Sequence, residues 1–430
     1  MSSSSTSTVY VKVTGNDNNS GLEIGQEKRT LNNAYNVLGE DTACSIKVVY
    51  FGPPLPADPI ILNKIHGITI EGWKSDGSGS EQMDIDTRIN SQANYLFTCQ
   101  KSVEFKFLTF KFPLSNCKWN RLIFADSDSV SLKISNCRFD RTEGMPYGSI
   151  TVEAKRNSYD ARSLVNVNVG SVSMVNISCT DLTKIASFSS VPFSFSGASE
   201  VSLKKVEINK VNVENGAAVE ITDDGPSKVT IEGLNVQEVN TESGYVAGLQ
   251  VWFYSEESIV SMGRTSKCTF KSCVTQKGAS GAIYFRLEKA VPNLQLPAEN
   301  NLDIDSSNIV ESVTRSLVIF STDFEKFCEQ EDSFEFANDY DESKSGWIMG
   351  MQDPEAELVD VYEKYLKGRN KKPKEDPEAE NKDNKKTKAG TVIAIVVPIV
   401  VVVVAVVVVV VVIVVVRKRK LRNVKNGNNE

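Results

Sequence analysis

One spacing of apolar residues constrains this chain more than any other feature. Val201, Leu203, Val206, Ile208 and Val211 are followed 28 residues later by Val229, Ile231, Leu234, Val236 and Val239. Each set reads apolar, x, apolar, x, x, apolar, x, apolar, x, x, apolar, and the match runs into the turn, where "VNVENG" from Val211 aligns with "VNTESG" from Val239. The spacing occurs again upstream at Val172, Met174, Ile177, Cys179 and Leu182, and downstream at Leu317, Ile319, Thr322, Phe324 and Phe327. Partial copies are Ile68, Ile70, Trp73; Val103, Phe105, Leu108, Phe110; Leu132, Ile134, Cys137, Phe139; and Cys268, Phe270, Cys273. Alternation of period two in short runs rich in β-branched residues predicts strands, with a bend between the second and third apolar positions.

Short strands that return with their turns predict a solenoid. One coil cannot bury its apolar row alone, whereas rows stacked at the ~4.8 Å strand spacing make a continuous interior. From Ile68 to Phe327 there is chain for roughly nine coils. A β-sandwich of many short strands is the competing architecture, but it gives no reason for one pattern to come back with its turn. The words "SNCKWNR" at Ser115 and "SNCRFDR" at Ser135 leave two registers open: Cys137 over Leu108, 29 residues back, or Cys137 over Cys117, 20 residues back. The first matches the dominant repeat.

"VYVKVTGNDNNSG", "RTLNNAYNVL", "IKVVYFG" and "GITIEGW" together resemble the opening of right-handed parallel β-helix proteins of the pectin lyase-like superfamily. The resemblance covers residues 8 to about 335 and implies an all-β, right-handed parallel β-helix. It also implies that a short amphipathic helix caps the open end and that Ile68-Thr69-Ile70-Glu71-Gly72 closes the first coil. The segment "CTFKSCVTQKGASGAIYF" from Cys268 is similar to a repeat of bacterial polymorphic outer-membrane proteins, with Ser280-Gly281 in place of that repeat's paired glycines. The expected division is an N-terminal strand and cap at 1–67, coils at 68–335, a C-terminal cap at 336–368, a charged disordered linker at 369–390, a transmembrane helix at 391–416 and a basic tail at 417–430. For the C-terminal cap, "DPEAELVDVYEKYLKG" predicts a helix with Asp353 as N-cap, Pro354 first, Gly368 as terminator and Leu358, Val361, Tyr362 and Tyr365 on one face.

The membrane segment is read from composition. From Thr391 to Val416 every residue is apolar apart from Thr391 and Pro398, with Ala405 among the valines. At about 1.5 Å per residue this run crosses a ~30 Å hydrocarbon core as a single helix. Arg417, Lys418, Arg419, Lys420 and Arg422 follow at once and predict a cytoplasmic flank, with the N-terminal body extracellular at the plasma membrane. Lysines also stand on the other flank, and "MSSSSTSTVYVKV" shows no signal peptide, so a tail-anchored cytosolic scaffold is the competing arrangement.

The chemistry is sparse. A net charge of −7 gives no footprint for nucleic acid. The single histidine, His66, stands in the turn "KIHGITI", and no Gly-His-Gly motif accompanies it as the resemblance to pectin lyase-like hydrolases would require. Asp223-Asp224 in "ITDDGPS" could share acid-base work or hold calcium, but Asp-Asp-Gly-Pro is also a strand-ending turn, and no further acid or arginine set falls on the same face. Cys137, Cys179 and Cys268 occupy ladder positions filled elsewhere by Val206 or Ile208 and read as core; a disulfide between Cys268 and Cys273 or between Cys117 and Cys137 stays open. No catalytic, cofactor or metal residues are assigned. Asn18-Asn19-Ser20 and Asn176-Ile177-Ser178 are sequons that make Asn18 and Asn176 candidate N-glycosylation sites. The expected function is that of a membrane-anchored surface protein whose polar coil faces bind glycans or cell-surface proteins, with "VWFY" at Val251–Tyr254 reading as core and turn before ligand platform. A membrane-tethered polysaccharide lyase or hydrolase is the enzymatic alternative.

Overall fold

The structure, a computed structural model, describes residues 6–367 apart from 41, 50–54, 57, 88–94, 113–120, 142–162, 181–191, 224, 289–292, 331 and 353–356. The chain divides into two units, Met1–Asn370 and Lys371–Glu430. The sequence-predicted linker, the span at 391–416 and the basic tail fall in the second, outside the described residues. Among the described residues no helix is long and apolar enough to cross a membrane.

The fold is mostly strand, and its strands pair in parallel. Among the described strands only two pairings are antiparallel, Ile309–Val310 with Val313–Thr314 and Ile348–Met351 with Val359–Asp360. The ladder read from the sequence is the pairing register: Val201 lies beside Val229, Leu203 beside Ile231, Val206 beside Leu234, Ile208 beside Val236 and Val211 beside Val239. One pass earlier, Val172 meets Val201, Met174 meets Leu203, Ile177 meets Val206 and Cys179 meets Ile208. All of these side chains are buried.

The passes form three strips of parallel strands. The first starts at Ser7–Val11, ahead of Ile68, and runs through Cys44–Val49, Ile68–Trp73 and Val103–Lys106 into the long strands Arg121–Ser135, Ser163–Thr180, Ala198–Asn215 and Lys228–Ser243. The second continues each pass beyond the bend, through Leu108–Phe112, Arg138–Arg141 and Cys268–Lys271. There Thr109 pairs with Arg138 and Phe110 with Phe139, the register that sets Leu108 against Cys137, as the longer repeat requires. Cys117 lies outside the described residues. The third strip includes Val219–Thr222, Leu249–Phe253, Ile283–Leu287, Leu317–Phe320 and Ile348–Met351.

Between the strips the interior is filled by one continuous cluster rich in phenylalanine. Phe110 stacks on Phe139 with centroids 5.2 Å apart, and Phe139 meets Phe193 edge-on at 5.7 Å. Gly72 ends the Ile68-x-Ile70-x-Gly word because its α-carbon faces the carbonyl oxygens of Glu81 and Phe107, which leave no room for a β-carbon. Gly72→Ala should therefore destabilise by about 1–3 kcal/mol, measured by denaturant unfolding, because two backbone carbonyls must give way.

Both ends of the ladder are covered. The first strand's outer edge is met by the segment Gly21–Lys28: Tyr10 N–H donates to Gly21 O, Lys28 N–H to Tyr10 O and Lys12 N–H to Lys28 O. The helix Leu31–Val37 follows, capped by Thr30 Oγ1 accepting from Asn33 N–H, and buries Leu31, Ala34 and Tyr35 in the core. At the other end two expectations need correction. The tail of the downstream ladder, Thr322, Phe324 and Phe327, is no strand: Phe324–Glu329 is a helix that buries Phe324, Phe327 and Cys328, a three-then-one spacing that suits a helix face. The helix expected from Asp353 is interrupted, because Val359–Asp360 pairs as a strand along Met349 and Gly350, and the helical turn described in this stretch is Tyr362–Leu366. Asp360 Oδ1 accepts from Tyr362 N–H at 2.9 Å and thus starts that turn itself. Val361, Tyr362 and Leu366 do face the core, whereas Leu358 joins a separate cluster with Tyr284 and Val318 on the outer side of the third strip. Asp353, Pro354 and Gly368 lie outside the described residues.

Candidate functional site

The bend between the first and second strips places one residue per pass in the left-handed region. These are Phe107 (φ 52°), Asn136 (52°), Asn176 (56°), Lys205 (53°) and Gly233 (66°). Left-handed backbone costs about 1 kcal/mol or more for a residue with a β-carbon, less for Asn, whose short polar side chain bonds locally. The reward is a sharp corner that turns the chain onto the second strip while keeping Val206-type residues inward. Just past the corner the next outward residue on each pass is Arg138, Ser178, Glu207 and Asn235, and these four are register partners.

Corner and outward residues together line a groove of about 630 Å³ that also includes Gln82, Asp140 and the half-buried Phe107. Asn176 Nδ2 donates to Asn136 Oδ1 at 2.7 Å, bridging two passes. Asp140 is held by Lys111 at 3.1 Å, and Gln82 Nε2 donates to Thr109 Oγ1 at 3.0 Å. Arg138, Lys205 and Glu207 are exposed and have no partner among the described residues. The groove thus offers amides, two free cations and a free carboxylate at successive steps of ~4.8 Å, beside one aromatic ring. None of Arg138, Asp140, Lys205 and Glu207 stands out in the sequence, although counting one position beyond the third ladder residue picks out Arg138 and Glu207.

The residues singled out from the sequence are dispersed. His66 is exposed in the turn between Ile60–Leu62 and Ile68–Trp73 and does not line the groove. Asp223 is buried, and its carboxylate accepts from Tyr254 N–H (2.7 Å), Ser255 N–H (3.1 Å) and Ser258 Oγ (2.6 Å), so it closes the turn of the following pass. Asp224 lies outside the described residues. Glu232 does the same for another turn, accepting from the backbone of Arg264, Thr265 and Ser266. Of "VWFY", Phe253 is core, Trp252 is half-buried beneath the Arg286 guanidinium at 4.1 Å, and Tyr254 is 48 % exposed.

Cys44, Cys99, Cys137, Cys179, Cys268, Cys273 and Cys328 are buried free thiols, so Cys268 and Cys273 are not bridged. Burial pushes the thiols of Cys137 and Cys273 up to about 12 and that of Cys268 up to about 11, far from the range of a nucleophilic thiolate. Among the described residues no group of three or more His, Cys, Asp and Glu is arranged to hold a metal. Asn18 is exposed in the N-terminal turn and Asn176 is exposed in the groove. Thr391, Pro398, Ala405, Val416 and the basic cluster Arg417, Lys418, Arg419, Lys420 and Arg422 lie outside the described residues.

Comparison with models of known families, with curated proteins and with solved structures gives no match.

Proposed function

We propose that the chain is a right-handed parallel β-helix of the pectin lyase-like kind, carried outside the cell on a single membrane helix at 391–416, and that its groove binds glycans without catalysis. The observation that carries this reading is the groove's construction: side chains with unfilled hydrogen-bonding capacity recur at one spacing across successive passes. A linear hydroxyl-rich polymer meets such a row with repeated contacts, each weak alone. Arg138 and Lys205 supply donors, Glu207 accepts from hydroxyls, the amides do both, and Phe107 gives an apolar face for a ring.

The test is a glycan array probed with the full-length chain, followed by titration of the best ligand. Arg138→Ala combined with Glu207→Ala should weaken binding at least tenfold, about 1.4 kcal/mol, while unfolding stability stays within about 0.5 kcal/mol of the parent. Glycan binding that the double substitution leaves unchanged would move the site elsewhere. Turnover of a polysaccharide by the purified chain would favour the enzymatic alternative. External protease on intact cells tests the orientation, and survival of the body while the membrane is sealed would refute surface display.

A further inference from the structure

Asn176 is at once a corner of the ladder, part of the groove lining and the first residue of the sequon Asn176-Ile177-Ser178. Its left-handed backbone turns the side chain outward, where it is exposed, and Nδ2 spends one N–H on Asn136 Oδ1 at 2.7 Å. The groove residues on the neighbouring passes include Arg138 and Lys205. The second sequon differs in each respect. Asn18 sits in the exposed N-terminal turn, its backbone N–H donates to Asn16 Oδ1, and it is not among the groove-lining residues.

We infer that Asn176 accepts an N-linked glycan and that this glycan closes the groove, so that the chain exists in an open and a closed form set by modification. The inference rests on the proposal that the body is made on the secretory route. In the transfer, Asn176 Nδ2 bonds to the anomeric carbon of a polyprenyl-pyrophosphate oligosaccharide. The bond from that carbon to the pyrophosphate oxygen breaks, the polyprenyl pyrophosphate leaves and Nδ2 gives up one proton. The amide began with two N–H groups, so one remains to donate to Asn136. Ile177, the middle residue of the sequon, is 2 % exposed, so transfer precedes folding, and the modified side chain then takes its place at the corner without disturbing the core. The first sugar leaves from an atom already within the groove and lies over Arg138 and Lys205. A glycan on Asn18 has no such effect.

The experiment compares the full-length chain made in a glycosylating eukaryotic host with the same chain made in bacteria that lack N-glycosylation. Glycopeptide mass spectrometry reads occupancy at Asn18 and Asn176. A small amine-acylating ester reads access to Lys205, with the exposed Lys277 as internal reference. The expected result is an occupied Asn176, at least fivefold slower acylation of Lys205 relative to Lys277 in the glycosylated chain, and glycan-array binding by the bacterial chain alone. Asn18→Gln in the eukaryotic host should leave the acylation ratio unchanged. An unmodified Asn176, or equal acylation of Lys205 in the two chains, overturns the inference. Slow acylation together with no array binding by the bacterial chain would sink the glycan-binding reading and leave the closure of the groove standing.

Discussion

Phe139→Ala is expected to lower the unfolding free energy by about 3–5 kcal/mol, the range for deleting a fully buried phenyl group from a packed core. Phe139 has no exposed surface, stacks on Phe110 at 5.2 Å and meets Phe193 at 5.7 Å, so three passes lose contacts together. Relaxation should be limited, because each neighbouring ring is fixed by a strand paired on both sides. Denaturant unfolding followed by circular dichroism measures the loss, with Phe139→Leu expected to retain more than half of the parent's margin. An alanine variant as stable as the parent would mean that the interior rings do not carry the stack.

Asp223→Ala should cost about 3 kcal/mol for a different reason. The carboxylate is 1 % exposed and receives three donors, Tyr254 N–H, Ser255 N–H and the Ser258 hydroxyl, the last also buried. Removing the acceptor strands the buried Ser258 hydroxyl and two partly buried N–H groups, and a charged acceptor is worth more than a neutral one. Asp223→Asn keeps one carbonyl oxygen and should lose about half as much. The same pair of variants separates this role from chemistry. A catalytic acid would show lost turnover at unchanged stability, whereas a turn clamp shows lost stability first.

The interior was legible because its rule is one-dimensional. Once Val201 and Val229 are aligned, the register of every apolar residue between Val201 and Val211 follows, and the structure pairs each as the spacing requires. The ends were less legible because their residues obey two rules at once. Phe324 and Phe327 satisfy the strand spacing by chance while their local sequence folds as a helix, and Val359 and Asp360 sit inside a helical pattern yet are claimed by the unpaired edge of Ile348–Met351. The groove was hidden for another reason. Arg138, Ser178, Glu207 and Asn235 share a position and no chemical type, so no motif marks them, and they fall in one row only when counted from the ladder, as the pairing places them. Asp223 was visible as an acid, but its three donors lie more than thirty residues further on.

The corner itself tolerates Phe107, Asn136, Asn176, Lys205 and Gly233 in one conformation. A position that accepts an aromatic ring, an amide, a cation or no side chain at all holds the backbone without dictating what the surface displays. Descendants of this sequence can therefore exchange the whole outward row, one residue per pass, while inheriting the interior untouched. Surface and architecture are written on alternate residues of the same strands, and they are free to evolve at different rates.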